Sequence, residues 1–234
     1  MTVFTATLLS LLLQDGGAIS GTVHFPENGR AKLRLKIRYP DQAPRQEIMK
    51  EQPYSPALLY LEGVPSSKPA EGVVEIKQEG LQFQPRAVAI ERGMRVSFPN
   101  FDKEYHNVFS YSKAKRFDLG RFPKGETREV TFDETGLVRV FCEIHEHMRA
   151  FVLVVDNPYH AAAAQDGKFS LPKVPVGAYT LVAWHEQFEP VRQKVEVKAA
   201  GVQVDVMFSQ AAPAGERGER ALGCCPSARV DPGP

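Results

Sequence analysis

Phe141-Cys142-Glu143-Ile144-His145-Glu146-His147-Met148-Arg149 places a thiol, two imidazoles and a thioether within the seven residues from Cys142 to Met148. Apolar runs flank it: Leu137-Val138-Arg139-Val140-Phe141 before, and Ala150-Phe151-Val152-Leu153-Val154-Val155 after. Both are rich in the β-branched and aromatic residues that fit strands. The chain must therefore fold back on itself between two strands, turning side chains three apart toward one point. Cys142 is the one cysteine before Cys224, so it is not half of an ordinary structural disulfide. A further imidazole, His106, lies upstream in Glu104-Tyr105-His106-Asn107-Val108-Phe109-Ser110. A thiolate, two imidazoles and a weak axial thioether make up the donor set of a blue-copper electron-transfer site.

Outward from this loop the pattern stays β throughout. Candidate strands run over 19–25, 33–39, 57–62, 73–78, 87–90, 95–98, 107–110, 128–132, 137–141 and 150–155, then 168–171, 178–184, 193–197 and 203–208. Turn signals such as Glu91-Arg92-Gly93, Asp133-Glu134-Thr135-Gly136 and Gln165-Asp166-Gly167 separate them. Helical periodicity is nearly absent, and the spacing predicts an all-β chain of one or two sandwiches. Residues 72–156 hold every member of the Cys/His/Met set. Neither 17–65 nor 159–209 supplies enough strands for a core alone, whereas together they supply about seven, the size of a sandwich. The expected division is one discontinuous domain, 17–65 plus 159–209, with 72–156 inserted. A tandem arrangement of two joined sandwiches fits the same pattern. Residues 210–234 lack hydrophobic patterning and read as a disordered tail.

Composition excludes some functions. With 43% hydrophobic residues, 24% charged residues and a net charge of +1, the 234-residue chain is ordinary for a globular protein. It lacks the clustered basic charge that nucleic acid demands. The run Leu8-Leu9-Ser10-Leu11-Leu12-Leu13 is too short to span a bilayer and has the length of an export-signal core. No Lys or Arg precedes it and no clear small-x-small site follows, only Gln14-Asp15-Gly16-Gly17-Ala18, so an apolar N-terminal strand is the competing reading of 1–16. A copper–thiolate site suits an oxidising compartment, and a periplasmic or otherwise exported location is expected.

His106-Asn107-Val108 followed by Cys142-x-x-His145-x-x-Met148 resembles the cupredoxins, with the short loop spacing of the amicyanin-like rather than the plastocyanin type. The stretch Val73–Gln78, then Leu81-Gln82-Phe83-Gln84-Pro85 and the Gly93 turn, is similar to the opening of such a domain. The resemblance implies a Greek-key β-sandwich over about 85 residues and one copper ion. It implies His106, Cys142 and His145 as equatorial ligands and Met148 as the axial one, with Asn107 tying the two ligand loops together. In the flanks, Ile19-Ser20-Gly21-Thr22-Val23, Asp166-Gly167-Lys168-Phe169-Ser170-Leu171 and Val174-Pro175-Val176-Gly177-Ala178-Tyr179 resemble the carboxypeptidase regulatory-like, transthyretin-like sandwich. The whole arrangement is similar to methylamine-utilisation-like cupredoxins.

The expected function is one-electron transfer between redox protein partners, with no small-molecule substrate, membrane span or catalysis. Copper binding or delivery is the alternative, with His147, Glu143 and Glu146 assisting exchange. A Cys142–His145 nucleophile pair lacks a recognisable orienting group, and a zinc site lacks a second thiolate or carboxylate. Met148 also fits plain core packing. His147, Glu143 and Glu146 are expected on the solvent side of the loop, and His24, His160 and His185 as surface or half-buried histidines. Trp184-His185-Glu186 reads as a packing motif at a strand end, Lys113-Ala114-Lys115-Arg116 as a solvated loop, and Cys224-Cys225 as without function.

Overall fold

Phe151-Val152-Leu153-Val154-Val155 is apolar at every position because its strand is covered on both faces. The computed structural model describes residues 16–26, 34–37, 48–51 and 55–209. There, strand Arg149–Val155 belongs to a five-stranded sheet in the order Arg116–Phe122, His106–Tyr111, Gly136–Phe141, Arg149–Val155, Ala87–Glu91. Its pairing with Gly136–Phe141 is antiparallel and that with Ala87–Glu91 is parallel. Side chains alternate across a strand, so Ala150, Val152 and Val154 turn one way, into a core with Val108, Val138 and Val140. Val96 and Phe98 close that core from a three-stranded sheet of Thr127–Thr131, Arg95–Pro99 and Val73–Glu75.

Phe151, Leu153 and Val155 turn the other way. They meet Leu58, Tyr60, Val182 and Trp184 in a second apolar layer. These partners come from a four-stranded sheet ordered His160–Ala162, Leu58–Glu62, Gly177–His185, Phe188–Val197. Its strands are also two-sided: Leu59, Leu61, Leu181 and Ala183 point into a third core with Ile19, Val23, Phe169 and Leu171. That core is closed by a sheet of Lys168–Val174, Gly17–His24 and Val202–Gln203, with Val206–Met207 also paired to Gly17–His24. Four sheets thus stack with three apolar layers between them. Segments before and after 72–156 interleave: Gly17–His24 pairs with Lys168–Val174, and Leu58–Glu62 with Gly177–His185.

Local chemistry agrees with this arrangement. In the Gln165-Asp166-Gly167 turn, Gly167 has φ +86°, the left-handed region open to glycine, and Asp166 Oδ1 accepts the N–H of Lys168 at 3.0 Å. A Cβ on Gly21 would collide with the Val204 carbonyl, which explains the glycine in Ile19-Ser20-Gly21-Thr22-Val23. Among the described residues there is no α-helix, and no helix long and apolar enough to cross a membrane. The chain is all-β, as expected. Arg116–Phe122 is a strand that the basic run at its start disguised as a loop, and Phe188–Val197 begins five residues before the expected 193. The segment before residue 16 and the stretch 210–234, with Cys224 and Cys225, lie outside the described residues.

Candidate metal centre

Strand parity delivers Cys142 to the core. Val138 and Val140 face inward on Gly136–Phe141, and two residues on, Cys142 continues the same face, 3% exposed among the same apolar neighbours. The last pair of the hairpin is Phe141 with Arg149, so 142–148 is its loop. Two backbone bonds close it: Met148 N–H donates to the His145 carbonyl at 2.9 Å, and Cys142 N–H donates to the Met148 carbonyl at 3.3 Å. Cys142, His145 and Met148 are thereby held on one turn, with Met148 buried at 1% exposure. His106 begins the neighbouring strand His106–Tyr111 and is fully buried.

The three nitrogen and sulfur donors converge. His106 Nδ1 lies 3.1 Å from His145 Nδ1, and Cys142 Sγ lies 3.9 Å and 3.8 Å from those same two nitrogens. All three residues are buried, with their ligand atoms within 4.8 Å of one another. The spacing fits one ion: bonds of about 2.0 Å to nitrogen and about 2.3 Å to sulfur, the lengths zinc makes, span this triangle. A trigonal His2Cys set is what copper takes in electron-transfer sites.

Electrostatics prepare the donors. Burial pushes the Cys142 thiol up, but hydrogen bonds from the His106 and His145 rings and from the backbone N–H groups of Asn107 and His145 prevail. They bring it down from 9.0 to about 6. Burial pulls His106 down, yet Cys142 and Asp102 outweigh it and raise the imidazole above its ordinary range. Asp102 Oδ2 lies 2.9 Å from His106 Nε2. Burial would raise the Asp102 carboxyl, but the Leu81 N–H, the His106 ring and the Gly80 N–H hold it below the ordinary carboxylate range.

Asn107 does join the two ligand loops. Its Oδ1 accepts the Glu143 N–H at 3.3 Å and its Nδ2 donates to Asp118 Oδ1 at 2.7 Å. Glu143 and Glu146 are exposed, as expected. His147 is half-buried instead of solvent-facing, and its Nε2 donates to the Leu81 carbonyl at 3.0 Å. His185 is buried among Phe25, Phe188 and Phe208, with Nε2 on the Ser55 carbonyl at 3.2 Å. Asp102 escaped the sequence reading. Its one signal was an acidic residue four positions before the first imidazole. The fork between Arg86 and Glu186, which are 100 residues apart, left no signal at all.

Two stretches of the chain match known families. Residues 70–155 match the family of copper binding proteins, plastocyanin/azurin family. Residues 155–205 match polysaccharide lyase family 4, domain II. Among solved structures, amicyanin from Paracoccus versutus is 27% identical, over 36% of this chain and 81% of its own, with a TM-score of 0.34. A copper-containing nitrite reductase from Thermus scotoductus is 22% identical over 41% of this chain and 25% of its own, TM-score 0.35. A purple cupredoxin from Nitrosopumilus maritimus is 22% identical over 35% of this chain and 98% of its own, TM-score 0.32. No curated protein matches.

Proposed function

We propose, from the premise that residues 70–155 form a copper-binding cupredoxin domain, that this protein carries single electrons between redox protein partners. The observation that carries the reading is the preformed triangle of His106 Nδ1, His145 Nδ1 and Cys142 Sγ, buried in a sandwich core. His106, Cys142 and His145 would hold copper, with Met148 as a further, weaker donor. Copper bound there supplies a one-electron couple. The protein's part is to keep the donors still: the two backbone bonds of the loop and the Asn107 bridge resist rearrangement, so little reorganisation accompanies each electron.

His145, 9% exposed, is the least buried of the four, against 0% for His106, 3% for Cys142 and 1% for Met148. Its outer edge is the exit for the electron. Ile144, next to it in the chain, and Phe101 and Tyr105, on the segment leading into His106, are exposed apolar residues suited to a partner's surface. The depth of the ligands favours retention of copper over delivery of it. We further propose the division 17–65 plus 159–209 around 72–156, and an exported location.

One equivalent of Cu(II) added to the purified chain tests this. An intense visible thiolate-to-copper charge-transfer band and reversible reduction are expected. A colourless complex, or loss of copper to a mild chelator within mixing time, overturns the reading.

A further inference from the structure

His106 is held from behind by a carboxylate that is itself anchored. An ionised carboxylate only accepts hydrogen bonds, so the 2.9 Å contact of Asp102 Oδ2 requires a proton on His106 Nε2, and Nδ1, which faces Cys142 and His145, is the ring nitrogen left to bind a metal once its own proton is lost. Asp102 is fixed from three sides. Its Oδ1 accepts the Gly80 N–H at 2.6 Å, its Oδ2 accepts the Leu81 N–H at 2.8 Å, and its own N–H donates to Asn100 Oδ1 at 2.9 Å. Leu81 has φ +60°, so the turn aims two successive N–H groups at one carboxylate, an anion-holding nest. The same turn is gripped from the copper loop, because His147 Nε2 donates to the Leu81 carbonyl. A chain of contacts therefore runs from His147 through the Gly80–Leu81 turn and Asp102 to His106, joining the two ligand segments behind the site.

Building on the copper reading, we propose that Asp102 is a positioning residue that sets the redox poise. It fixes the His106 tautomer and adds carboxylate charge to the imidazole, which favours Cu(II) over Cu(I) and lowers the reduction potential. A carboxylate bonded to the far nitrogen of a ligating histidine makes the ring a stronger donor, and losing such a partner typically changes metal affinity 10- to 100-fold. The side chain of Asp102 is only 11% exposed and that of His106 is 0% exposed, so solvent screens the effect little.

The test is a spectroelectrochemical titration of the copper-loaded full chain and of three variants: Asp102→Asn, Asp102→Glu and Glu143→Gln. Glu143→Gln removes an exposed carboxylate from the ligand loop and controls for charge alone. In Asp102→Asn the charge-transfer band should persist while the Cu(II)-over-Cu(I) preference falls about tenfold or more, an upward shift of about 59 mV per tenfold. Asp102→Glu should return toward the wild-type potential. A shift no larger than that of Glu143→Gln refutes the role of Asp102. If Asp102→Asn does not fold, the apoprotein decides: nitrogen-15 spectra must show a proton on His106 Nε2, whether or not Nδ1 also carries one, and a ring protonated on Nδ1 alone overturns the proposal. A wild-type chain without the band refutes the copper reading itself, a different result from a band with an unmoved potential.

Discussion

Glu186→Gln tests the seam between the stacked sheets. Arg86 precedes strand Ala87–Glu91 of the five-stranded sheet, and Glu186 follows strand Gly177–His185 of the facing sheet. The guanidinium forks onto the carboxylate: Nε donates to Oε1, and Nη2 to Oε2 at 2.8 Å. The two side chains are 5% and 10% exposed. Nη1 also reaches the Arg149 carbonyl at 3.4 Å, one residue past Met148. Breaking a buried pair and leaving one charge unpaired costs about 3–5 kcal/mol. With a urea slope of about 3 kcal/mol per molar, the midpoint falls by roughly 1–1.7 M. Trp184 is the only tryptophan and lies in the seam, so its fluorescence reads the transition directly. Replacing both partners, Arg86→Met with Glu186→Leu, should recover most of the loss, because apolar packing substitutes well for a buried pair. Acid should act like the single variant. Burial pushes the Glu186 carboxyl up, but the hydrogen bonds and charge of Arg86 hold it below its ordinary range. A depressed carboxyl contributes stability fully above its unfolded value of about 4.3 and loses it as pH falls through the folded value. Wild type should therefore lose stability below about pH 4.3 by an amount that Glu186→Gln does not show. A single-variant midpoint within about 0.3 M of wild type would refute the reasoning, since it corresponds to less than about 1 kcal/mol.

Cys142→Ser should abolish the charge-transfer band while the apoprotein stays folded, and a surviving band would remove Cys142 from the ligand set. In the apoprotein, ultraviolet titration of the thiolate should show Cys142 ionising at about 6, so that the thiolate predominates above that pH. A midpoint at its ordinary 9.0 contradicts the hydrogen-bond network around the sulfur. Trp184→Ala, at a position 1% exposed, should destabilise by about 3–5 kcal/mol in thermal or chemical unfolding. A change below about 1 kcal/mol would mean that the seam contributes little.

The ligand loop was legible because its geometry is local. Alternation carries Val138, Val140 and Cys142 to one face, and a seven-residue reversal leaves His145 and Met148 nowhere to go but the same turn. Strand Arg116–Phe122 was missed although Phe117, Leu119 and Phe122 carry an apolar pattern, because Lys113, Lys115 and Arg116 at its entry look like a solvated loop. The structure resolves that run: Lys115 pairs with Asp133 at 3.1 Å, and Arg116 lies over the Tyr111 ring. His147 was misjudged for a related reason. Its partner is a carbonyl 66 residues away, and any exposed-looking loop histidine reads the same without it.

The pairing of the ligand loop with His106-Asn107, 36 residues apart in the chain, was implied only by the resemblance to cupredoxins, whereas sequence alone determined the β class and the hairpin that gathers Cys142, His145 and Met148. Each rests on periodicity or on spacing of a few residues, which covalent geometry enforces wherever the chain goes. Tertiary structure decided the rest. The continuous apolar runs 58–61 and 151–155 could belong to any doubly covered strand, and only the stacked sheets show that Tyr60 and Phe151 share one layer. Asp102 is four residues from His106, but its hold depends on Gly80 and Leu81, more than twenty positions earlier. Arg86 and Glu186 meet only because two sheets close face to face. Contacts between distant segments leave no spacing to read, since the chain between them can take any length.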